Sequence, residues 1–181
     1  LIEYNDYTNT FFTVLQGTVK VKIKPSDTEP SLELGTGKFV GEMSLISGRR
    51  RSTSVFAGSD CVVIETPRRS MNKLINSNES VKRTIDEAFM IRAIKMHLAP
   101  EVKEEHLAEI VKNATLEKFE ADQELFKEGD QGDSLYLVRS GSVTVSRSIG
   151  EKSTTLAYLP AGNYVGEMAL MTDMPRSATV K

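Results

Sequence analysis

Residues 39–55 read FVGEMSLISGRRRSTSV, and residues 164–180 read YVGEMALMTDMPRSATV. The offset is 125 throughout. Val40, Gly41, Glu42, Met43, Leu45, Arg51, Ser52 and Val55 recur as Val165, Gly166, Glu167, Met168, Leu170, Arg176, Ser177 and Val180, eight identities in seventeen positions without a gap. Upstream, residues 1–21 align with residues 125–145 at an offset of 124, which sets Asp6 on Asp130, Phe12 on Tyr136, Gly17 on Gly141 and Val19 on Val143. Self-similarity of this kind constrains the fold more than any single motif, because whatever one copy folds into the other must fold into as well. The two copies differ by one loop residue.

Each copy has the period of strands. Val19, Val21 and Ile23 alternate with Lys20, Lys22 and Lys24, as in a strand with one buried and one wet face. In Ser134–Val145, Leu135, Leu137, Val143 and Val145 share a side and Ser140-Gly141 punctuates the middle, which predicts a hairpin. Short strands bounded by Gly, Asp and Asn at this spacing predict a sandwich or roll rather than a parallel α/β sheet.

Between the copies the period changes to that of helices. Thr66 is placed to cap and Pro67 to take the first helical position, ahead of Met71, Leu74 and Ile75. A second helix is predicted from Asn78, with Val81, Ile85, Ala88, Phe89 and Met96 on one stripe, and Pro100 stops it. A third, over 102–114, carries Leu107, Ile110, Val111 and Ala114. The expected architecture is therefore mainly β with helices: two β units of the sandwich or roll kind, residues 1–100 and 101–181, joined by an ordered helical connector.

Composition removes several classes of function. With 23 basic against 25 acidic residues, the net charge of −2 offers no bulk attraction to nucleic acid or anionic lipid, so direct nucleic acid binding is not expected. One cysteine, Cys61, and two histidines, His97 and His106, cannot build a disulfide scaffold or a histidine-rich metal centre, so no metal is expected. Asp130 and Asp133 flank a Gln-Gly turn but lack the twelve-residue calcium-loop pattern. Neither a membrane span nor a signal peptide is visible, and the cytoplasm is the expected compartment. No Ser-His-Asp or Cys-His set and no Gly-x-x-x-x-Gly-Lys loop is found, so a binding module and not an enzyme is expected.

The repeated segment can bind a nucleotide. Its glycine lets the backbone turn sharply and approach a ligand, and the residues after it can form one helical turn with free N–H groups facing an anion. The arginine nine positions after the glutamate supplies charge and a planar fork of donors suited to two phosphate oxygens, and the serine after it adds a hydroxyl. A carboxylate beside a phosphate needs another partner, and a ribose hydroxyl suits it.

These residues resemble the phosphate-binding cassette of the cyclic nucleotide-binding domain, the β-roll (jelly-roll, double-stranded β-helix) of protein kinase A regulatory subunits, cyclic-nucleotide-gated channels and the catabolite activator. Lys127-Glu128-Gly129-Asp130 through Tyr136, Val138, Gly141 and Val143 resembles the family's early strands. The resemblance implies that Glu42 and Glu167 accept the ribose 2′-hydroxyl and that Arg51 and Arg176 bind the cyclic phosphate. The surrounding ligand-binding set becomes Gly41, Met43, Ser44, Ser52 and Thr53 in the first copy, and Gly166, Met168, Ala169, Ser177 and Ala178 in the second. Within the run Arg49-Arg50-Arg51, only the repeat register singles out Arg51. Serine after the arginine in both copies points to cyclic AMP rather than cyclic GMP. Against the family both copies look truncated: the first lacks an opening helix and strand, and the second lacks a counterpart of residues 57–98. In relatives a helix after the roll supplies a lid over the base, which nominates Phe89, Met90, Ile91 and Ile94. The implied role is a regulatory module, with no cofactor beyond the cyclic AMP or cyclic GMP ligand, that signals through hinge helices to an effector domain in the same or another chain. The alternatives are a roll that has lost its ligand and serves as an interaction scaffold, and a catabolite-activator-type transcription regulator. The latter needs a helix-turn-helix, and here the connector runs into a second roll.

Overall fold

The structure is a computed structural model that describes residues 1–23, 26, 28, 32–150 and 152–181; Lys24 of the first alternating strand lies outside them. The chain divides into two compact units, Leu1–Glu104 and Glu105–Lys181.

In the first unit, strands β1 (Thr10–Gln16), β2 (Val19–Lys22), β3 (Leu32–Leu34) and β4 (Phe39–Val40) lead to a short helix α1 (Glu42–Ser47). Strands β5 (Ser54–Ala57) and β6 (Val62–Pro67) follow, then helices α2 (Arg68–Ser77) and α3 (Glu79–His97). Among the described residues the pairings are antiparallel, in two three-stranded sheets ordered β4-β1-β6 and β3-β2-β5. Side chains from both sheets meet in one core of Ile2, Phe12, Val14, Val19, Val21, Leu34, Val40 and Val55. Because strand neighbours point to opposite faces, Phe11 faces away from that core. It packs with Leu45, Met71, Ile75 and Ile85, joining the roll to α1, α2 and α3.

The second unit repeats the plan. Helix α4 (Glu104–Lys112) precedes β7 (Tyr136–Leu137), β8 (Ser142–Ile149), β9 (Lys152–Pro160), β10 (Tyr164–Val165), α5 (Glu167–Thr172) and β11 (Thr179–Val180). Its sheets are β10-β7 and β11-β8-β9. One contrast with the first unit is that Leu45 of α1 is 7% exposed, whereas the equivalent Leu170 of α5 is 49% exposed. Helices α2 and α3 cover Leu45, and among the described residues no equivalent pair covers Leu170.

Three expectations change. Gly141 turns the chain with φ 77°, but Ser134–Val145 is not a hairpin: β7 pairs with β10 and β8 with β9 and β11. Likewise β1 and β2, on either side of Gly17 (φ 73°), join different sheets. Two successive amphipathic strands can bury their apolar faces against each other only from opposite sheets of a roll, and the first unit's core contains Phe12 and Val14 together with Val19 and Val21. A side chain at Gly17 would put its Cβ 2.1 Å from the Asp60 carbonyl oxygen, so the crossing point tolerates only glycine. Second, Thr66 does not cap α2; it stays in β6, Pro67 occupies the cap position, and Leu74 is 46% exposed. Third, the last connector helix is shorter than 102–114, burying Leu107 and Val111 but not Ile110. The α3 boundary follows its cap, since the Asn78 side chain accepts from the Val81 N–H at 3.1 Å and the stripe Ile85, Phe89, Ala93 is buried.

Candidate ligand-binding site

The two cassettes are built alike. Gly41 (φ 104°, ψ −1°) and Gly166 (φ 95°, ψ 0°) cap α1 and α5 in the left-handed region, with no side chain occupying the first-turn amides. At Gly41 a Cβ would meet Arg51 Nη1 at 2.9 Å and the Thr10 carbonyl oxygen at 3.0 Å. The arginines are held by reciprocal backbone bonds. The Arg51 N–H donates to Asp6 O at 3.0 Å and the Asn5 N–H to Arg51 O at 2.9 Å; Arg176 makes the same exchange with Asp130 and Gly129, 2.8 Å each way. Asn5 (φ 65°) and Gly129 (φ 90°) share the left-handed conformation that this clamp needs.

Of the run 49–51, only Arg51 is buried, at 4% exposure; Arg49 and Arg50 lie at the surface. The acceptors around Arg51 are neutral. Nε donates to Thr8 Oγ1 at 2.8 Å, Nη1 to Ser44 Oγ at 2.6 Å, and Nη2 to the Thr10 carbonyl. Burial pushes its pKa down, the Asp6 and Glu42 carboxylates act in the opposite sense, and Arg68 adds to the depression. The guanidinium is thus buried and hydrogen-bonded to neutral groups alone, with the Asp6 and Glu42 carboxylates acting on it through space. Arg176, 5% exposed, donates from Nη1 to Gly166 O and from Nη2 to Ser134 O, both 2.9 Å, and lies 4.2 Å over the Phe126 ring.

Glu42 is 1% exposed. Its Oε2 forms an ion pair with Arg92 of α3 but receives no aligned hydrogen bond. Arg92 also donates to Phe39 O at 2.8 Å and sits 5.2 Å over the Phe39 ring, so α3 is tied to the cassette. Glu167 is half-buried and forms no ion pair among the described residues.

In the first unit, Gly41, Glu42, Met43, Ser44, Arg51, Ser52 and Thr53 all line one cavity of about 510 Å³. The walls are Ile2, Val21, Ile23, Leu32, Leu34 and Val40 of the roll, and Arg92, Lys95 and Met96 of α3 close one side. The proposed lid residues Phe89, Met90, Ile91 and Ile94 do not line it; Phe89 is fully buried. Of the four, only Phe89 belongs to the buried stripe Ile85, Phe89, Ala93; Met90, Ile91 and Ile94 are half-buried, and the residues of α3 that reach the cavity are Arg92, Lys95 and Met96. In the second unit, Arg176 and Ala178 are buried, Gly166 and Glu167 half-buried, and Met168 and Ser177 exposed. Among the described residues no group of three or more His, Cys, Asp or Glu is placed to hold a metal ion, and no helix is long and apolar enough to cross a membrane.

The family model for the cyclic nucleotide-binding domain matches residues 1–78 and 116–181. The chain belongs to the cyclic nucleotide-binding domain family. It is 30% identical over 181 residues to the cAMP-dependent protein kinase regulatory subunit of Eremothecium gossypii, covering 99% of this chain and 37% of that protein. To the subunit of that name from Dictyostelium discoideum it is 26% identical over 186 residues, covering 99% of this chain and 56% of that one. The chain therefore spans less than two thirds of these curated relatives. The regulatory domain of Toxoplasma gondii PKA, co-crystallised with cAMP, matches with a TM-score of 0.51 at 23% identity, over 99% of this chain and 69% of that one. The fold of this chain is accordingly the family's β-roll, mainly β with helices.

Proposed function

We propose that this chain is a regulatory module, without chemistry of its own, that binds cyclic nucleotide at two cassettes, cyclic AMP in preference to cyclic GMP. The observation that carries the reading is the first unit's cavity, where a buried cation and a buried carboxylate, Arg51 and Glu42, lie in one largely apolar wall. Its volume of about 510 Å³ falls in the range of small-molecule sites, roughly 300–1,000 Å³. A phosphate meets the buried guanidinium of Arg51, whose hydrogen-bond acceptors are all neutral, and a ribose hydroxyl supplies the aligned donor that Glu42 Oε2 lacks. Apolar side chains such as Val21, Leu32 and Met96 suit a base. The relatives' name, cAMP-dependent protein kinase regulatory subunit, supports cyclic AMP as ligand and a kinase catalytic chain as effector. Helix α3 is the transmitter, because Arg92 bonds directly to Glu42 and a ligand at Glu42 must alter that bond.

Separate titrations of Arg51→Ala and Arg176→Ala with cyclic AMP test the assignment. Each substitution should abolish tight binding at its own site alone, since losing a charged fork opposite a phosphate costs about 2–5 kcal/mol, roughly one and a half to three and a half decades in affinity. Unchanged binding after both would defeat it.

A further inference from the structure

The two arginines share a backbone frame but not their side-chain partners. Gly41 O and Thr10 O around Arg51 correspond to Gly166 O and Ser134 O around Arg176. Arg51 adds hydroxyls: Thr8 Oγ1 on Nε at 2.8 Å, Ser44 Oγ on Nη1 at 2.6 Å and, more loosely, Thr10 Oγ1 on Nη2 at 3.4 Å. In the second copy the counterparts of Thr8 and Ser44 are Gly132 and Ala169, which have no hydroxyl to offer. Arg176 Nε is consequently buried without an acceptor. Gly132 also leaves the space this arginine occupies, since a Cβ there would fall 2.0 Å from Nε. Phe126, stacked at 4.2 Å, holds the guanidinium in place; its counterpart in the first unit is Ile2, which has no ring.

The difference matters for any anion that comes to either cassette. A phosphate oxygen arriving at Arg51 must displace hydroxyl acceptors that already satisfy its N–H groups. An oxyanion arriving at Arg176 finds a desolvated donor whose unmet bond is costly and which the ligand can satisfy. We propose that Thr8 and Ser44 set the affinity of the first cassette by occupying the donors of Arg51 in place of phosphate, so that the second cassette holds cyclic nucleotide more tightly than the first. The proposal rests on the cyclic nucleotide reading above and deepens it: the two sites are unequal, and the inequality lies in two side chains that do not follow the repeat.

The test is calorimetry with cyclic AMP on the full-length protein, using Arg176→Ala to isolate the first cassette and Arg51→Ala to isolate the second. The second is expected to bind at least about tenfold more tightly, the size of effect a hydrogen bond to a charged group provides. Thr8→Val with Ser44→Ala, in the Arg176→Ala background, should tighten the first site by about tenfold. Ala169→Ser, in the Arg51→Ala background, should weaken the second, and it decides the matter if the first pair disturbs folding, because it leaves Thr8 and Ser44 in place. Equal affinities that respond to none of these changes overturn the proposal while leaving the nucleotide reading standing. Absence of cyclic AMP binding to the wild-type protein overturns both.

Discussion

Replacing Arg92 with alanine should destabilise the first unit by about 3 kcal/mol in the absence of ligand, more than any neutralisation of its partner. Glu42 is buried and depends on Arg92, whose side chain is 18% exposed against 2% for Glu42. Removing one member of a buried pair costs about 3–5 kcal/mol because the other charge is stranded. Partial exposure of the pair places the effect at the low end of that range. The lost bond to Phe39 O adds about 1 kcal/mol and the ring contact less, though the contributions overlap and do not sum. Glu42→Gln strands no buried charge, since Arg92 can reach water, and should cost only about 1 kcal/mol. The double variant should regain part of the Arg92→Ala loss. Urea unfolding followed by far-ultraviolet ellipticity measures the totals, and hydrogen exchange over residues 39–51 and 79–97 assigns the loss to this unit. If Arg92→Ala stays within about 0.5 kcal/mol of wild type, or Glu42→Gln proves the more damaging, the buried-pair argument is wrong.

Two further outcomes follow from local geometry. Gly41→Ala should lower the thermal midpoint by several degrees, through a φ of 104° and the close approach to Arg51 and Thr10, whereas Gly35→Ala, with nothing within 4 Å of its Cβ, should change it little; similar shifts from the two would contradict the strain argument. In the second unit, the Ser148 N–H and then the Arg147 side chain hold the Glu128 carboxyl below its ordinary 4.5, so its contribution is present above that value and fades as pH falls through the lower folded-state pKa. The stability gap between wild type and Glu128→Gln should therefore narrow from pH 6 to pH 3, and a gap independent of pH would count against this linkage.

The internal repeat made much of this legible. Its register separated Arg51 from Arg49 and Arg50, and in the structure Arg51 is the buried member of the run, in the same backbone clamp as Arg176. Cap chemistry at Asn78 marked the start of α3, because a side chain three residues from the amide it accepts is a local matter. What escaped depends on chain distance. Thr8 lies 43 residues from Arg51, and Arg92 pairs with Glu42 across 50, so no periodicity connects them. The misread hairpin has the same origin: alternation shows that a strand has an apolar face but not which sheet it enters, and β7 and β8 enter different ones. Residues 8 and 132 held a usable signal, since a threonine against a glycine at matched positions beside the cassette is a departure from the repeat that the identities around it conceal.

Arg51 and Glu42, and their repeats Arg176 and Glu167, are expected to mark where nucleotide sits. A crystal structure of the full-length protein grown with cyclic AMP tests this placement. The cyclic phosphate is expected on the guanidinium of Arg51 and of Arg176, and the ribose 2′-hydroxyl on the carboxylates of Glu42 and Glu167, at the roughly 2.7–3.0 Å of charge-assisted bonds. Nucleotide bound away from both arginines, or both cassettes empty at saturating cyclic AMP, would contradict it.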